Sequence, residues 1–536
     1  MYGGTMSHSR PHQPANPAAP LSPHEALQRN YYDRHPAFRA SLGGDEEEVD
    51  LRDCPLQQQE EEESHNGREA TLGDLHGNAI KLLFFLVKEG VLKVEPEDYD
   101  ALMQYYQQYA LASAKANKDI ARYDDTEKKL EKLETLKNAP QTGYGTIDQD
   151  SLEKIIAQHT QSLLNIDNAL KEVFDEIAEI NLYFRKMLRE KYSVNAQAAT
   201  QLVRFMGDEL CDRGRSDWFT LLIFGKLMSA EELLQRDLFK VLASNHGLEA
   251  VLYFEAVREI IEFNQSLPAN QSLPDDQVLL EAIKHEGILD MDPNEQSAVS
   301  LQNFIRDVDC GLILDDEGKK FTAKDILSFF KDVYFPHLVL LDYTLSADQQ
   351  DIVLYTHAPS DLNVIKALAA QFKVAYHDDT AVLLAASIDR INEAFKKYVE
   401  EGRVHEIFKR DEESALTQLV WNRDYAHLQR EPQQHQKLYH IYFVHGHDHH
   451  GPDSAHVAGL DDPLGKPGHY EYEGIFSTFS CPAGKRATLN AADSEDSAYE
   501  TEARSTSQSP AGSTTEDEGD FYSSDDEGEK DKHSPH

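Results

Sequence analysis

Five short segments, in fixed order along the chain, set carboxylate, imidazole or amide side chains directly beside apolar runs of strand length. They are Gly73-Asp74-Leu75-His76-Gly77, Gly207-Asp208-Glu209-Leu210-Cys211-Asp212-Arg213-Gly214, Ser244-Asn245-His246, Tyr355-Thr356-His357-Ala358 and Val444-His445-Gly446-His447. The runs before four of them are Phe205-Met206, Val241-Leu242-Ala243, Ile352-Val353-Leu354-Tyr355 and Ile441-Tyr442-Phe443-Val444. A strand holds such a group rigidly, and the loop beyond it lets groups from separate strands converge. That is the requirement of a two-metal hydrolase. Asp74 and His76 lie two apart on an extended segment, so they share a face.

Alternation of strands and helices around these segments implies an α/β core. Ala70-Thr71-Leu72 reads as a short strand and Ala79 to Leu92 as an amphipathic helix, with Ile80, Leu83, Phe84 and Val87 on one face. Residues 95 to 200 are nearly all helix formers, broken once around Pro140, Gly143 and Gly145, which predicts a long helical hairpin inserted into the core. The insertion serves either as a solvated spacer or as the surface for a protein partner. Further strands are expected at Leu202 to Met206, Phe239 to Ala243, Leu338 to Leu340, Ile352 to Tyr355, Val374 to Tyr376 and Leu438 to Val444, and a buried helix at Phe219 to Met228. Residues 1–64 are rich in Pro, His, Gln and Glu, and 488–536 in Ser, Thr, Glu and Asp. Neither has the apolar periodicity of a core, so both are expected to be disordered, with the catalytic domain at 65–487.

The net charge of −43 in 536 residues opposes nucleic acid, which demands a basic surface, and disfavours an anionic membrane. A phosphate substrate would have to be drawn in locally, by cations and placed arginines. The four cysteines, Cys54, Cys211, Cys310 and Cys481, form no C-x-x-C pair, which argues against structural disulfides and cysteine-ligated zinc. Four residues separate Cys481 from Arg486, one short of the loop of a cysteine-dependent phosphatase. No signal peptide is evident at the N-terminus, and the apolar run Leu82 to Val87 is far short of a membrane span. The chain reads as soluble and intracellular, or as exported by a route that leaves no such signal.

In their order, the five segments resemble the calcineurin-like metallophosphoesterases, and more narrowly the phosphoprotein phosphatase branch, whose motifs read G-D-x-H-G, G-D-x-x-D-R-G, G-N-H-E, a single His after a strand, and G-H. Val420-Trp421-Asn422-Arg423-Asp424 resembles the W-N-R segment of the lambda phage phosphatase. The resemblance implies two facing mixed β-sheets flanked by helices, the metallophosphatase fold. It implies two divalent ions, for which mixed oxygen and nitrogen ligands suit manganese, iron or zinc. Asp74 and His76 would hold the first metal, Asp208 would bridge, and Asn245, His357 and His447 would hold the second. A water between the cations would attack phosphorus in line. His246 would be the general acid, oriented by Asp212, and Arg213 and Arg423 would clamp the phosphate.

Three departures from the pattern stand out. Three residues separate Asp208 from Asp212 where the family has two. The third motif has Ser244 for Gly and Gly247 for Glu, with Glu249 two positions on. The last motif is crowded by His449 and His450. His449 fits the G-H-x-H form of more distant relatives as a possible extra ligand; the alternative is a solvent-facing loop. The modified second motif, the insertions and the acidic tail also resemble the Wip group of effector phosphatases, which bacterial pathogens inject into host cells. The substrate would then be a host phosphoprotein, carrying phosphotyrosine or phosphoserine/threonine. Two other readings stay open: a hydrolase of small phosphoesters such as dinucleoside polyphosphates, and a catalytically weak scaffold.

Overall fold

The computed structural model describes residues 38, 41–55, 67–138, 148–195, 202–228, 239–268, 271–272, 299–408, 414–424, 428, 439–448, 456–466, 468 and 471–487. The chain divides into two compact units, 1–488 and 489–536, and every described residue belongs to the first.

In chain order the strands are β1 (Gly43–Asp50), β2 (Arg68–Leu72), β3 (Leu92–Lys93), β4 (Ser193–Val194), β5 (Val203–Phe205), β6 (Phe239–Leu242), β7 (Leu338–Val339), β8 (Leu341–Leu345), β9 (Asp351–Thr356), β10 (His440–His445), β11 (Val457–Gly459) and β12 (Glu473–Pro482). The helices are α1 (Ala79–Lys88), α2 (Pro96–Asn138), α3 (Gln149–Lys191), α4 (Asp217–Met228), α5 (Asn245–Ser266), α6 (Val299–Asp309), α7 (Ala323–Val333), α8 (Leu362–Gln371), α9 (Ala381–Glu401) and α10 (Ala415–Trp421), besides short turns.

Two sheets form the centre, one in the order β1-β12-β2-β5-β6-β7 and one in the order β11-β10-β9-β8. Strands β2, β5, β6 and β7 run parallel, as do β9, β10 and β11. Every residue of β9 and of β10 is buried, as a strand covered on both faces requires. Side chains alternate between two cores. Ile352, Leu354, Ile441 and Phe443 pack among the helices, whereas Val353, Tyr355, Tyr442 and Val444 join Met206, Leu242, Phe479 and Cys481 between the sheets. The expected pair of mixed sheets with flanking helices is therefore the observed architecture.

At the middle of the inter-sheet layer lies a cation. Arg204 is fully buried, bonded to Glu69 at 2.7 Å and Asp342 at 2.5 Å, with its guanidinium 4.1 Å from the Tyr355 ring centroid. Asp342 is also gripped by Arg486 at 2.6 Å. Burial pushes the Asp342 carboxyl up, but Arg486 and Arg204 outweigh it and hold it well below the usual carboxylate range.

The insertion is a helical hairpin, as expected. Its helices have 43 residues each and so reach about 65 Å. Lys191 pairs with Asp98 at one end and Lys137 with Glu153 at the other, which fixes them as antiparallel. The base is seated by Phe184 stacked on Phe219 of α4, 3.8 Å between centroids, and by Tyr109 donating to Asp307 at 2.7 Å.

Three expectations differ from the structure. Residues 43–50, assigned above to a disordered arm, form β1, paired with β12 over all eight residues. Helix α1 ends at Lys88 instead of Leu92, because the chain turns at Gly90 in the left-handed region and Leu92–Lys93 become β3. Val374 to Tyr376 carries no strand pairing; the N–H of Val374 instead bonds back to Ala369 O near the end of α8. The rest of the 1–64 arm apart from residues 38 and 41–55, and the whole of 489–536, lie outside the described residues.

Candidate metal centre and active site

All five sequence segments meet at the carboxyl ends of the parallel strands, the place where open α/β sheets present their loops. Asp74 and His76 follow β2, Asp208 follows β5, Asn245 follows β6, His357 follows β9 and His447 follows β10. Glycines let the loops close upon one another. A Cβ on Gly214 would stand 1.6 Å from the carbonyl oxygen of Gly77, and one on Gly446 would stand 1.9 Å from Asp74 Oδ1.

Two groups of potential ligands result: Asp208 with His357 and His447, and Asp208 with His76 and Asp212; within each, the donor atoms lie within 4.8 Å of one another. Asp208 belongs to both. In the first group the N–H at His357 Nδ1 donates to Met206 O at 2.7 Å, which leaves Nε2 as the lone-pair nitrogen. Burial lowers the His357 pKa, in keeping with a neutral ring. That Nε2 faces Asn245 Oδ1 at 3.0 Å and Asp208 Oδ1 at 3.5 Å. Three electron-pair donors thus converge, an arrangement that a cation reconciles. His447, whose pKa burial pushes down to about 3, stands beside His357 with 5.0 Å between ring centroids.

Asp74 Oδ1, Asp208 Oδ1 and His447 Nε2 are buried without a hydrogen-bond partner among the described residues. Buried polar atoms are normally satisfied, so unpartnered atoms on Asp208 and His447, which share one donor group, fit a metal site, while Asp74 belongs to neither group. Asp74 accepts from the His447 N–H through Oδ2 at 2.8 Å. Its carboxyl is pushed well above the usual range by burial and by the charges of Asp461 and Asp208. His76, Asp208 and His447 all adopt left-handed backbone, with φ of 52°, 55° and 62°. Strain of this kind costs on the order of 1–3 kcal/mol per residue and gathers at functional sites.

Asp212 sits at the hub of the acid–base group. It lies 3.2 Å from His76 Nδ1, 3.7 Å from His246 Nε2 and 2.9 Å from Arg213 Nε. Burial would raise its pKa, but His246, His76 and Arg213 hold it well below the usual range. Burial would lower His246, yet Asp212, Asp208 and Glu249 raise it to about 10. Glu249 meets the other ring nitrogen of His246 at 3.4 Å. Arg213 is partly exposed over the site; Arg423 is exposed just past the end of α10, near enough for its charge to lower the pKa of His447. His449 lies outside the described residues.

The extra residue of the second motif is absorbed by left-handed turns at Asp208 and Cys211, which bury Glu209 and Leu210. Glu209 accepts from the Tyr334 hydroxyl and lies 3.0 Å from where a Cβ at Gly247 would be. The carboxyl missing from position 247 is thus replaced in space by one from the lengthened loop. Asp212 and Arg213 stay beside His246 in spite of the insertion.

Sequence reasoning missed three groups. Asp461 lies 3.2 Å from His76 Nε2, and Asp462 O accepts from the same nitrogen at 2.8 Å. Lys81, just before the apolar run Leu82 to Val87, is fully buried and binds Asp74 O at 2.7 Å and Asp462 Oδ1 at 2.8 Å. The only signal for the aspartates was the doublet itself after Gly459-Leu460, since β11 is three residues long.

Two facing sheets with this cluster at the strand ends are what a phosphatase needs, and the family comparison supports a phosphatase. Residues 202–466 match the family model described as WipA-like, phosphatase domain. The matched span runs from β5 past Asp462, so it takes in the second to fifth segments. The chain resembles the Wip group, as its modified second motif suggested. Among solved structures it is similar to the phosphatase domain of the Legionella effector WipB, at 22% identity over 71% of this chain and 99% of that one, with a TM-score of 0.45. No curated protein matches. Among the described residues, no helix is long and apolar enough to cross a membrane.

Proposed function

We propose that this protein is a metal-dependent phosphoprotein phosphatase. The observation that carries the reading is that Asp208 is shared by two buried ligand groups, as a bridging carboxylate must be. Asp74, His76 and Asp208 would hold one ion, and Asp208, Asn245, His357 and His447 the other. When bound, cations of the manganese, iron or zinc type supply Lewis-acid polarisation of the phosphoryl group and lower the pKa of an attacking water. The chain's own residues do the rest. Arg213 and Arg423 bind and orient the phosphoryl oxygens with fixed guanidinium donors. His246 delivers a proton to the leaving oxygen, and Asp212 holds the ring for that transfer, supported by their 3.7 Å approach. Lys81 and Asp462 fix the Asp74 loop from below. The Wip resemblance supports a translocated bacterial effector that acts on host phosphoproteins.

Two variants test the reading. Asp208→Asn should lower metal content and reduce turnover by on the order of a hundredfold. His246→Asn should keep its metal but slow alkyl phosphate hydrolysis by about a hundred- to ten-thousandfold, with a smaller loss on nitrophenyl phosphate. Near-normal turnover in Asp208→Asn refutes the two-metal site; equal losses on both esters refute the role of His246.

A further inference from the structure

A cleft of 1010 Å³ opens beside the candidate site, between the loop after β9, helix α8 and the end of α10. It is joined to the metal ligands by short covalent and hydrogen-bonded links. Pro359, on its wall, is two residues past His357. The Ala358 N–H donates to Leu419 O at 3.1 Å, tying that loop to α10. Asn422 Nδ2 donates to Pro359 O at 2.5 Å, so Arg423 is held at the mouth. A substrate whose phosphate lies between Arg213 and Arg423 therefore has this cleft as its continuation.

The lining decides what that continuation is. The walls mix both kinds of group: Val364 and Ala367 of α8 and Trp421 of α10 offer apolar surface, between Asn363, Thr417 and Gln418. Asp361 and Asp424 stand on the rim with Arg423 as the counter-charge. The volume is at the upper end of the roughly 300–1,000 Å³ of small-molecule sites, far more than one phosphate needs. A dinucleoside polyphosphate would bring several negative charges to a rim with two carboxylates and one arginine. A polypeptide with apolar or basic side chains meets no such penalty, and its aliphatic groups gain from burial against Val364 and Trp421.

We propose that the cleft receives the polypeptide flanking the phosphorylated residue, and that it selects apolar side chains there and rejects acidic ones. This rests on the phosphatase reading. Flanking aliphatic groups of the right size should change kcat/KM by about tenfold or more, the usual scale for one apolar contact in a pocket.

The test uses the full chain with manganese. Substrates are nitrophenyl phosphate, diadenosine tetraphosphate, and phosphopeptides that share one phosphoresidue but carry leucine, lysine or glutamate on both sides. The perturbation is Ala367→Glu, an exposed helical position on the cleft wall where glutamate is well tolerated by the helix. The wild type should prefer the leucine-flanked peptide to the glutamate-flanked one by about tenfold, and cleave the tetraphosphate poorly. Ala367→Glu should lose about tenfold in kcat/KM on the leucine-flanked peptide, chiefly through KM, and stay within about twofold on nitrophenyl phosphate. Rates independent of the flanks, or equal losses on peptide and aryl ester, overturn the cleft proposal alone. A wild type that hydrolyses none of these esters overturns the phosphatase reading and the cleft proposal with it.

Discussion

Replacing Arg204 by methionine tests whether the cation between the sheets holds them together. Methionine keeps much of the volume but removes the charge from Glu69 and Asp342 and the contact with Tyr355. Breaking a buried ion pair from one side costs about 3–5 kcal/mol. Asp342 keeps Arg486, and Glu69 keeps the Gly484 N–H at 2.9 Å, so the lower end, about 3 kcal/mol, applies. For a unit of 488 residues, at about 2.1 cal/mol/K per residue, the unfolding entropy is about 1 kcal/mol/K, so Tm should fall by about 3 °C. The pH dependence has a definite sign. The Asp342 carboxyl is depressed in the fold, so its contribution is present above the unfolded value of about 3.9 and is lost as pH falls through the folded one. The gap between wild type and Arg204→Met should therefore narrow below about pH 4. Adding Glu69→Gln should recover part of the loss at neutral pH, by removing the stranded charge. Thermal scans at pH 7 and urea titrations at pH 7 and about pH 2.5 measure all three quantities. A variant as stable as wild type at pH 7, or a gap that does not change with pH, refutes the reasoning.

Gly214→Ala should drive the second motif loop off Gly77, because the new Cβ has no space beside that carbonyl, and metal bound per chain should fall. Metal analysis of the purified variant measures it, and full occupancy would show that the two loops are not mutually fixed. Asp217→Asn should flatten the fall in stability with rising pH. Burial raises this carboxyl to about 7, against hydrogen bonds from Ser300 and the Cys211 N–H, so its contribution is intact below about pH 4 and lost as pH rises through 7. Unchanged pH slopes in denaturant titrations would contradict this.

The parts legible in the sequence were those in which side chains carry the information. Residues 352–355 and 441–444 read as strands because they are wholly apolar, and their burial on both faces is the reason. The candidate ligands Asp208, Asn245, His357 and His447 were legible because each stands just beyond an apolar run. Strand β1 was not, since Asp45-Glu46-Glu47-Glu48 is what a solvated segment looks like. An edge strand pairs through its backbone and leaves its side chains to solvent; only Val49 of its eight residues is buried. Lys81 was not legible for the opposite reason. A lysine is almost never fully buried unless paired, and its partner Asp462 lies far away in sequence, beyond the reach of any local pattern. Glu209 belongs with it, because an inserted residue announces a changed loop but not where its side chain will go.

The order of strands in the larger sheet has a consequence for synthesis. Strand β12 lies between β1 and β2, so one of the last described segments to be made becomes an interior strand flanked by the first two. On the ribosome, β2, β5, β6 and β7 can pair as they emerge, whereas β1 must wait for β12. At about 5–20 residues per second, that wait is on the order of half a minute. Throughout it, the open side of β2 presents unpaired backbone to any passing strand. The vulnerable period of this protein thus falls before its final sheet strand has been translated, and a chaperone bound at that edge would have to leave before β12 could enter.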